Sequence, residues 1–346
     1  MERLKLAVLG AGFWSQFQIG AWSEIPGVEI VALYNRTRSK AEALARKFHV
    51  GHVYDDAAEM FGNEEIDFVD IITGVDTHYK FVEMAADVGI KHIICQKPMA
   101  ADWDTAKKLV EKCRQAGASL YIHENFRWQA PLRRVKDILD SGIIGKPFKA
   151  RVSFLSGFPV FDNQPFLKEL PHFILTDMGS HVLDICRYLF GEAAKLWCQC
   201  KTVNREIRGE DVAIVMMEMA NGMPLYAEMS YASIVEHDMF STVNLLVEGE
   251  KGSVELGPGR SFTVSITTAE GTHSEKIEIP YYDWADPDYI VNHESGIHIN
   301  RNILDAIRGK GYAENTGEDN LETVSLVWAS YESARTSKLI NMKEFS

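Results

Sequence analysis

The sequence predicts an α/β protein of two domains, the first with a doubly wound parallel sheet and the second an α+β domain with an open antiparallel sheet. Three observations lead to this fold class. A glycine turn follows directly on an apolar strand near the N-terminus. Apolar strands then alternate with helical stretches as far as about residue 120. Beyond Pro147 the chain instead has consecutive strands with few helices between them.

The first domain, residues 1–123, is predicted from the alternation of strands and helices. Strands joined by helices need crossover connections, and such connections make a sheet parallel. The predicted strands are 4–9, 29–34, 68–72, 92–95 and 119–122, and the predicted helices include 41–48, 79–88 and 104–116. At 346 residues with 46% hydrophobic content, the chain can bury a core in each of two domains.

The second domain, residues 124–346, is predicted from its run of strands, which favours an antiparallel sheet. The predicted strands are 148–155, 196–203, 211–219, 224–231, 242–248, 253–256, 262–268 and 274–279. One helix, 175–189, interrupts the series, and a last helix, 321–338, is expected to pack back on the domain. The stretch 281–298 is expected to be mobile and able to cover a site.

The glycine turn predicts a dinucleotide site and hence a Rossmann fold. Gly10 allows a tight turn out of the strand, and Gly12, which has no Cβ, allows the backbone to approach a pyrophosphate at the next helix N-terminus. Ser15 stands where the third glycine of the usual fingerprint would be, so the match is incomplete. Phe13 and Trp14 complete the turn and are counted among the expected cofactor contacts. The alternative is a glycine turn that holds no ligand.

The second strand ends where a dinucleotide fold reads the adenosine ribose, and the residue there is Asn35. An amide can bond a ribose hydroxyl but does not repel a 2′-phosphate as a carboxylate would. Arg36 and Arg38 could pair with such a phosphate, although they are equally typical of a solvated turn before a helix. The sequence therefore predicts NAD as the cofactor and leaves NADP open.

The composition argues against several classes of protein. A formal net charge of −13 disfavours nucleic acid and an anionic membrane as partners, because a phosphate surface would repel the chain at long range. There is no apolar run near 18 residues and no charged-then-apolar leader, so a cytoplasmic protein is expected. The five cysteines suit reduced thiols, and no histidine pair completes a zinc site, so no metal is expected.

A candidate catalytic lysine follows the strand 92–95. Open parallel sheets bind ligands beyond the carboxyl ends of their strands, so Lys97 is expected to reach the nicotinamide end of the cofactor. A partly desolvated lysine can share a proton near neutral pH. The alternative is a solvated loop lysine.

Asp177 and His181 form a second candidate group on the predicted helix 175–189. A spacing of four puts them on one helical face, where both can address the same substrate oxygen. A histidine here could equally be a structural residue of a buried helix. Arg127 and Trp128 are expected to line the crevice between the domains and to bind substrate, the alternatives being an interdomain salt bridge and a packed aromatic.

The chain resembles the Gfo/Idh/MocA family (glucose-fructose oxidoreductase, inositol dehydrogenase and rhizopine catabolism proteins) over nearly its whole length. The resemblance is carried by segments 10–12, 96–98, 125–127, 177–184 and 316–319. Four places depart from the family pattern. Gln96 replaces a glutamate, Ser15 replaces the third glycine, Gly74-Val75 replaces Pro-Asn after Thr73, and 171–173 stands near where three glycines are common.

The resemblance implies a site in which Lys97, Asp177 and His181 act on a sugar or polyol hydroxyl that gives hydride to the nicotinamide. It also adds Thr73, His78 and Gln96 to the cofactor contacts. His181 is the expected base, because an unperturbed histidine has a pKa near 6.5, close to the working pH. Lys97 is the alternative base, and Asp177 orients the pair.

The predicted function is thus an NAD(P)-dependent dehydrogenase of a sugar or polyol, such as the aldose D-apiose or an inositol. Two alternatives stay open, a redox-neutral NAD-dependent glycosidase or lyase and a non-catalytic sugar sensor of the same fold. The predicted antiparallel sheet offers a broad face for packing, so a homo-oligomer, dimer or tetramer, is expected.

Overall fold

The computed structural model describes residues 3–238, 240–258 and 261–345, and the chain divides into two compact units. One unit holds the described residues up to Glu124 together with Tyr282–Ala285 and Gly296–Val324. The other holds Asn125–Tyr281, Asp286–Ser295 and the described residues from Ser325 onward. Each unit contains one large sheet.

The sheet of the first unit has six strands in the order β3-β2-β1-β4-β5-β6. Its strands are parallel, as the sequence predicts. The strands are β1 (Leu4–Leu9), β2 (Val28–Tyr34), β3 (His52–Tyr54), β4 (Phe68–Ile71), β5 (His92–Gln96) and β6 (Ser119–His123). The helices that connect them are α1 (Ser15–Ser23), α2 (Arg38–Phe48), α3 (Ala57–Asn63), α4 (His78–Asp87) and α5 (Trp103–Ala116). Of these elements β3 and α3 were not predicted, because three and seven residues are too few to establish a hydrophobic period.

Local sequence signals set the helix ends in this unit. Asp102 is the N-cap of α5, and its Oδ1 accepts a hydrogen bond from the backbone N–H of Thr105 at 2.8 Å. Gly117 ends the helix in the left-handed conformation, with φ +63°. Central strands of a parallel sheet are covered on both faces and are therefore apolar along their length. In β4 one residue breaks this rule, since Asp70 is fully buried beside Phe68 and Val69.

Late segments of the chain complete the outer edge of this sheet. The N–H of Ile122 in β6 donates to the carbonyl of Asn315 at 2.9 Å, and Tyr121 forms an antiparallel bridge with Thr316. His123 Nε2 lies 3.1 Å from Asn300 Oδ1. The sequence predicts that all residues after 123 belong to the second domain, whereas Gly296–Val324 belongs to the first unit. Backbone groups at an edge strand need partners, and this segment supplies them.

The sheet of the second unit has nine strands in the order β14-β13-β12-β11-β7-β10-β9-β8-β15. The strands are β7 (Pro147–Leu155), β8 (Ala193–Lys201), β9 (Val212–Met219), β10 (Pro224–Ser230), β11 (Asn244–Gly249), β12 (Gly252–Leu256), β13 (Thr263–Thr268), β14 (Gly271–Lys276) and β15 (Ile340–Asn341). The sheet is antiparallel apart from β7 and β10, which run parallel. These two are joined by a long connection that contains β8 and β9, and only such a crossover permits parallel neighbours.

The remaining helices are α6 (Ala130–Ser141), α7 (Val160–Asn163), α8 (Ser180–Phe190), α9 (Ile290–Ile307) and α10 (Gly317–Thr336). The predicted helix 175–189 is present as a π-helical turn, Leu175–Gly179, followed by α8. Helix α9 was not predicted, and it occupies residues 290–298 of the stretch 281–298 that was expected to be mobile. Buried polar residues such as Asn292 and Ser295 interrupt its apolar period and conceal the helix from pattern reading.

No helix among the described residues has both the length and the hydropathy that a membrane span needs.

Candidate active site

The glycine turn after β1 is held against the neighbouring strand β4. Gly10 has φ +119°, and its N–H donates to the carbonyl of Tyr34 at 2.8 Å. A Cβ at Gly10 would lie 2.4 Å from the carbonyl oxygen of Ile72. Because both the conformation and the contact exclude a side chain, this position requires glycine.

The turn is open at Gly12, where a Cβ would meet no atom within 4 Å among the described residues. Helix α1 begins at Ser15, and its N-cap position is Trp14, whose indole cannot accept hydrogen bonds from the first N–H groups. An exposed backbone beside an uncapped helix N-terminus fits the pyrophosphate of a dinucleotide. Phe13 and Trp14 pack edge-to-face on Phe17, with ring centroids 5.3 and 5.6 Å apart, and their contact with a cofactor stays a prediction.

Asn35 stabilises the glycine turn. Its Oδ1 accepts the N–H of Ala11 at 3.1 Å, and its Nδ2 donates to the carbonyl of Thr37 at 3.0 Å. Arg36 is exposed, whereas Arg38 forms ion pairs with two carboxylates, those of Glu42 at 3.1 Å and Asp55 at 3.8 Å. Of the two arginines predicted as phosphate contacts, Arg38 is therefore already engaged with its neighbours.

His78 connects two turns at the carboxyl edge of the parallel sheet. Its Nε2 lies 3.2 Å from the carbonyl oxygen of Thr73, and its Nδ1 lies 3.1 Å from that of Pro98 and 3.3 Å from that of Met99. The ring is buried, and burial lowers its pKa, which favours the neutral form. These contacts indicate that His78 stabilises the two turns. Its contact with the cofactor, like that of Thr73, stays a prediction.

Lys97 follows β5 and is half-buried. Its backbone N–H donates to Gln96 Oε1 at 2.8 Å. Gln96 Nε2 in turn donates to Gln18 Oε1 at 2.7 Å, and Gln18 Nε2 lies 2.7 Å from both oxygens of Asp70. The carboxylate of Asp70 also accepts from Trp22 Nε1 at 2.8 Å.

Sequence reasoning did not identify Asp70 or Gln18, although a lone carboxylate inside an apolar strand is a usable signal. Burial raises the pKa of Asp70 to about 7, and the hydrogen bonds from Trp22 and Gln18 oppose that rise. The group therefore titrates near neutral pH inside the first unit.

The second unit contains Asp177 and His181 on consecutive turns. Asp177 lies in the π-helical turn, and its Oδ2 accepts the hydroxyl hydrogen of Tyr231 at 3.2 Å. His181, which is buried, lies one turn later on α8 and stacks on Phe126 with ring centroids 3.7 Å apart. Such π-helical turns often occur at functional sites. The ring of Tyr231 thus limits the side-chain rotation of Asp177, and the ring of Phe126 limits that of His181.

Gly179, which ends the π-helical turn, is closely surrounded by core side chains. A Cβ there would lie 3.2 Å from Leu175 Cδ2 and 3.3 Å from Met229 Sδ. The small residue is thus explained by packing in the second unit.

Arg127 and Trp128 are buried within the second unit. Arg127 binds Asp184 with two hydrogen bonds, Nε to Oδ2 at 2.7 Å and Nη2 to Oδ1 at 2.5 Å, and Asp184 is fully buried. The guanidinium of Arg133 lies 3.6 Å from the ring centroid of Trp128. These contacts favour structural roles, and substrate binding by Arg127 and Trp128 stays a prediction.

The predicted site residues are thus divided between the units. The turn residues, Asn35, Thr73, His78, Gln96 and Lys97 belong to the first unit, while Asp177, His181, Arg127 and Trp128 belong to the second. Within the part of the chain that the structure describes, no group of three or more histidine, cysteine or acidic side chains could hold a metal ion.

Two family models match the chain. A model described as "Oxidoreductase family, NAD-binding Rossmann fold" matches residues 4–124, and one described as "GFO/IDH/MocA C-terminal domain" matches residues 132–255.

Several known proteins are similar over nearly the full length. D-Apiose dehydrogenases of Paraburkholderia graminis and Rhizobium rhizogenes are each 37% identical over 99% of this chain, covering 91% and 98% of their own lengths. A solved oxidoreductase from Agrobacterium radiobacter, in complex with NAD+, L-tartaric acid and magnesium, is 36% identical with a TM-score of 0.95 and covers 99% of both chains. A levoglucosan dehydrogenase, in complex with NADH and levoglucosan, shares the fold with a TM-score of 0.87 at 19% identity, covering 99% of this chain and 100% of its own.

The two glycines of the turn provide a matched pair of substitutions. Gly10→Ala places a Cβ against the carbonyl of Ile72 at positive φ, and we expect it to lower the free energy of unfolding by about 2 kcal/mol or more. Gly12→Ala meets no protein atom, so we expect an unchanged melting temperature but NAD affinity weakened about tenfold or more, since the methyl occupies the pyrophosphate position. Urea and thermal unfolding measure the stability of both variants, and calorimetric titration measures their affinity for NAD. Natural NAD affinity in Gly12→Ala would contradict the assignment of the turn.

The buried carboxylate predicts a pH dependence of stability. The pKa of Asp70 is higher in the folded chain, about 7, than in the unfolded chain, about 4, so the folded state binds this proton more tightly. Its contribution to the free energy of unfolding is therefore greatest below pH 4 and decreases by about 1.4 kcal/mol per pH unit up to pH 7. Urea unfolding from pH 5 to 8 should show this decrease for the natural protein and lose it in Asp70→Asn. Identical slopes for the two proteins would exclude the raised pKa.

Proposed function

This chain belongs to the Gfo/Idh/MocA family of NAD-binding oxidoreductases, and we propose that its substrate is D-apiose or a closely related branched aldose. The relatives make it an NAD-dependent dehydrogenase that acts on a sugar or polyol. The observation that carries the finer proposal is 37% identity to two D-apiose dehydrogenases across 99% of the chain.

We assign the acid–base work of the reaction to His181, Lys97 and Asp177. NAD supplies the hydride acceptor when it is bound. A ring nitrogen of His181 accepts the proton of the substrate hydroxyl, and stacking on Phe126 fixes the plane of the ring. Asp177 stabilises the protonated imidazole, and the hydroxyl of Tyr231 fixes one of its oxygens.

Lys97 is proposed to hold the same substrate oxygen by donating a hydrogen bond. An ammonium group stabilises negative charge that develops on this oxygen as its proton leaves. Its turn is supported by Gln96 from one side and by His78 through the Pro98 carbonyl from the other. Should His181 prove dispensable, Lys97 is the alternative base.

We further propose that the outer face of the nine-stranded sheet packs against a second copy of the chain. This face exposes large apolar side chains, with Met216 54%, Phe148 51% and Leu339 63% accessible. Trp197 and Tyr226 line a shallow depression of about 730 Å³ there. Large apolar side chains grouped on one exposed face are typical of an interface.

A cytoplasmic location is also part of the proposal. All five cysteines are free thiols, and four of them are buried. Unpaired cysteines in this number are typical of a reducing compartment. With a net charge of −13, a small-molecule substrate and a second copy of the chain are the proposed partners, rather than nucleic acid or an anionic membrane.

The substrate is tested by following absorbance of reduced nicotinamide with NAD and NADP in parallel. D-Apiose, other aldoses and inositols serve as the panel. We expect absorbance to increase with D-apiose and NAD. If absorbance increases only with another sugar, the proposed substrate is wrong but the protein is still a sugar dehydrogenase. A flat trace with every sugar, despite NAD binding, would instead favour the redox-neutral glycosidase or the sensor.

The proposed acid–base roles are tested by removing each side chain in turn. Lys97→Ala and His181→Ala should each lower kcat by about a hundredfold or more, because a positioned proton-transfer group contributes that much. The His181→Ala variant should bind NAD with natural affinity, as measured by titration. His273→Ala, which removes an exposed imidazole on β14, is the matched control and should keep natural turnover. Natural rates in both active-site variants would overturn the assignment.

The packing face is tested by Met216→Glu. Burying a carboxylate in place of the methionine side chain costs desolvation free energy at the interface, so the variant should dissociate to monomers. Light scattering after size-exclusion chromatography measures the mass. Tyr312→Glu, at an exposed aromatic of the first unit, is the control and should keep the natural mass. Unchanged assembly in Met216→Glu would place the interface elsewhere.

A further inference from the structure

Three side chains in the first unit form a chain of hydrogen bonds in which every donor points the same way. The Lys97 N–H donates to Gln96 Oε1, Gln96 Nε2 donates to Gln18 Oε1, and Gln18 Nε2 donates to the Asp70 carboxylate. The three successive links measure 2.8, 2.7 and 2.7 Å. We refer to Asp70, Gln18 and Gln96 as the Asp70 relay.

The Asp70 relay connects three elements of the sheet unit. Gln18 lies on α1, the helix that follows the glycine turn, Asp70 lies on β4, and Gln96 ends β5. All three side chains are at least nine-tenths buried, with exposures of 2%, 0% and 8%. Hydrogen bonds in such a low-dielectric environment are strong, and a missing partner there is costly.

The direction of the relay is set by its carboxylate end. Above pH 7, where Asp70 is ionised, its carboxylate only accepts hydrogen bonds, so Gln18 turns its NH2 group to Asp70 and its oxygen to Gln96. Gln96 then has to offer its NH2 group to Gln18, which leaves its own oxygen for the backbone of Lys97. The charge at Asp70 thereby determines which group of Gln96 faces the lysine.

We propose that Asp70 is a positioning residue that, through Gln18 and Gln96, holds the backbone of Lys97 in the orientation from which its side chain acts. The inference rests on the role proposed above for Lys97. It adds two residues, Asp70 and Gln18, that the family motifs of the sequence do not include.

Glutamine at position 96, where the family pattern has glutamate, fits the relay. A glutamate in place of Gln96 would be a second carboxylate facing Gln18, and one amide can present its NH2 group to only one of the two. The other carboxylate would then face the Gln18 oxygen in a buried place, which is unfavourable. Gln96 and Asp70 are thus matched to each other.

This matching predicts a reciprocal rescue. Gln96→Glu alone should lower kcat by about tenfold or more, because it disrupts the relay and displaces the Lys97 backbone. Asp70→Asn alone should lower kcat similarly. In the double variant the introduced asparagine can donate to the Gln18 oxygen, and Gln18 can donate to the introduced glutamate, so all the partners are restored with the charge moved along the relay. The double variant should return to within about threefold of natural kcat.

A control separates positioning from a general effect on folding. In a Lys97→Ala background, Gln96→Glu should have no further effect on kcat, whereas a general structural defect would lower it again. In Asp70→Asn, which changes none of the expected cofactor contacts, KM for NAD should stay within about twofold while kcat decreases.

The relay can be assessed even if no sugar is turned over. Hydrogen exchange of the Lys97 amide, followed by NMR, should be slow in the natural protein, fast in Gln96→Glu and slow again in the double variant. Loss of the exchange pattern overturns the relay, whatever the substrate. If the exchange pattern holds but kcat of an active enzyme does not follow it, the positioning role is overturned. An inactive natural protein with the expected exchange pattern rejects the proposed function and supports the relay geometry.

Discussion

A carboxylate buried in the middle of a parallel sheet has to be given hydrogen-bond donors, and this constraint organises the first unit. Asp70 has no exposed surface, and its donors come from Gln18 and Trp22 on α1. The helix that presents the glycine turn is therefore fixed by side chains as well as by apolar packing. The same network extends to Gln96, so the glycine turn before α1 and the turn at Lys97 are connected by one set of polar contacts.

The sequence predicted the parts of the fold that depend on local pattern. Gly10 and Gly12 have the geometry expected of them, one pressed on Ile72 and the other open. The alternation of strands and helices led correctly to the parallel sheet. Helix α9 was missed because its buried face includes Asn292, His293 and Ser295, whose polarity conceals the helical period. The parallel pairing of β7 with β10 was missed because it depends on a connection that local pattern does not describe.

In the candidate site, too, local sequence pattern identified some residues, whereas contacts between distant parts of the chain could not be predicted. Residue types and spacing identified Lys97 and, separately, the pair Asp177 and His181 as candidates. The family resemblance joined the three as one set, and their catalytic roles stay predictions. Spacing could not reveal that Arg127 forms a buried ion pair with Asp184, because the partner lies 57 residues later in the chain. Asp70 was absent from the expected site for a related reason. The apolar strand around Asp70 marks it as an unusual carboxylate, but only the coordinates connect it through two amides to the lysine.

The segment that covers the edge of β6 has a consequence for modularity. The carbonyl of Asn315 and the bridge at Thr316 satisfy backbone groups of a strand that ends nearly two hundred residues earlier. A fragment cut after Glu124 would retain the glycine turn and the six strands but would leave this edge uncovered and ready to pair with another chain. The dinucleotide-binding part of this protein is therefore not an independent folding module. If it were fused to another protein without the segment that pairs with β6, it would be prone to aggregate.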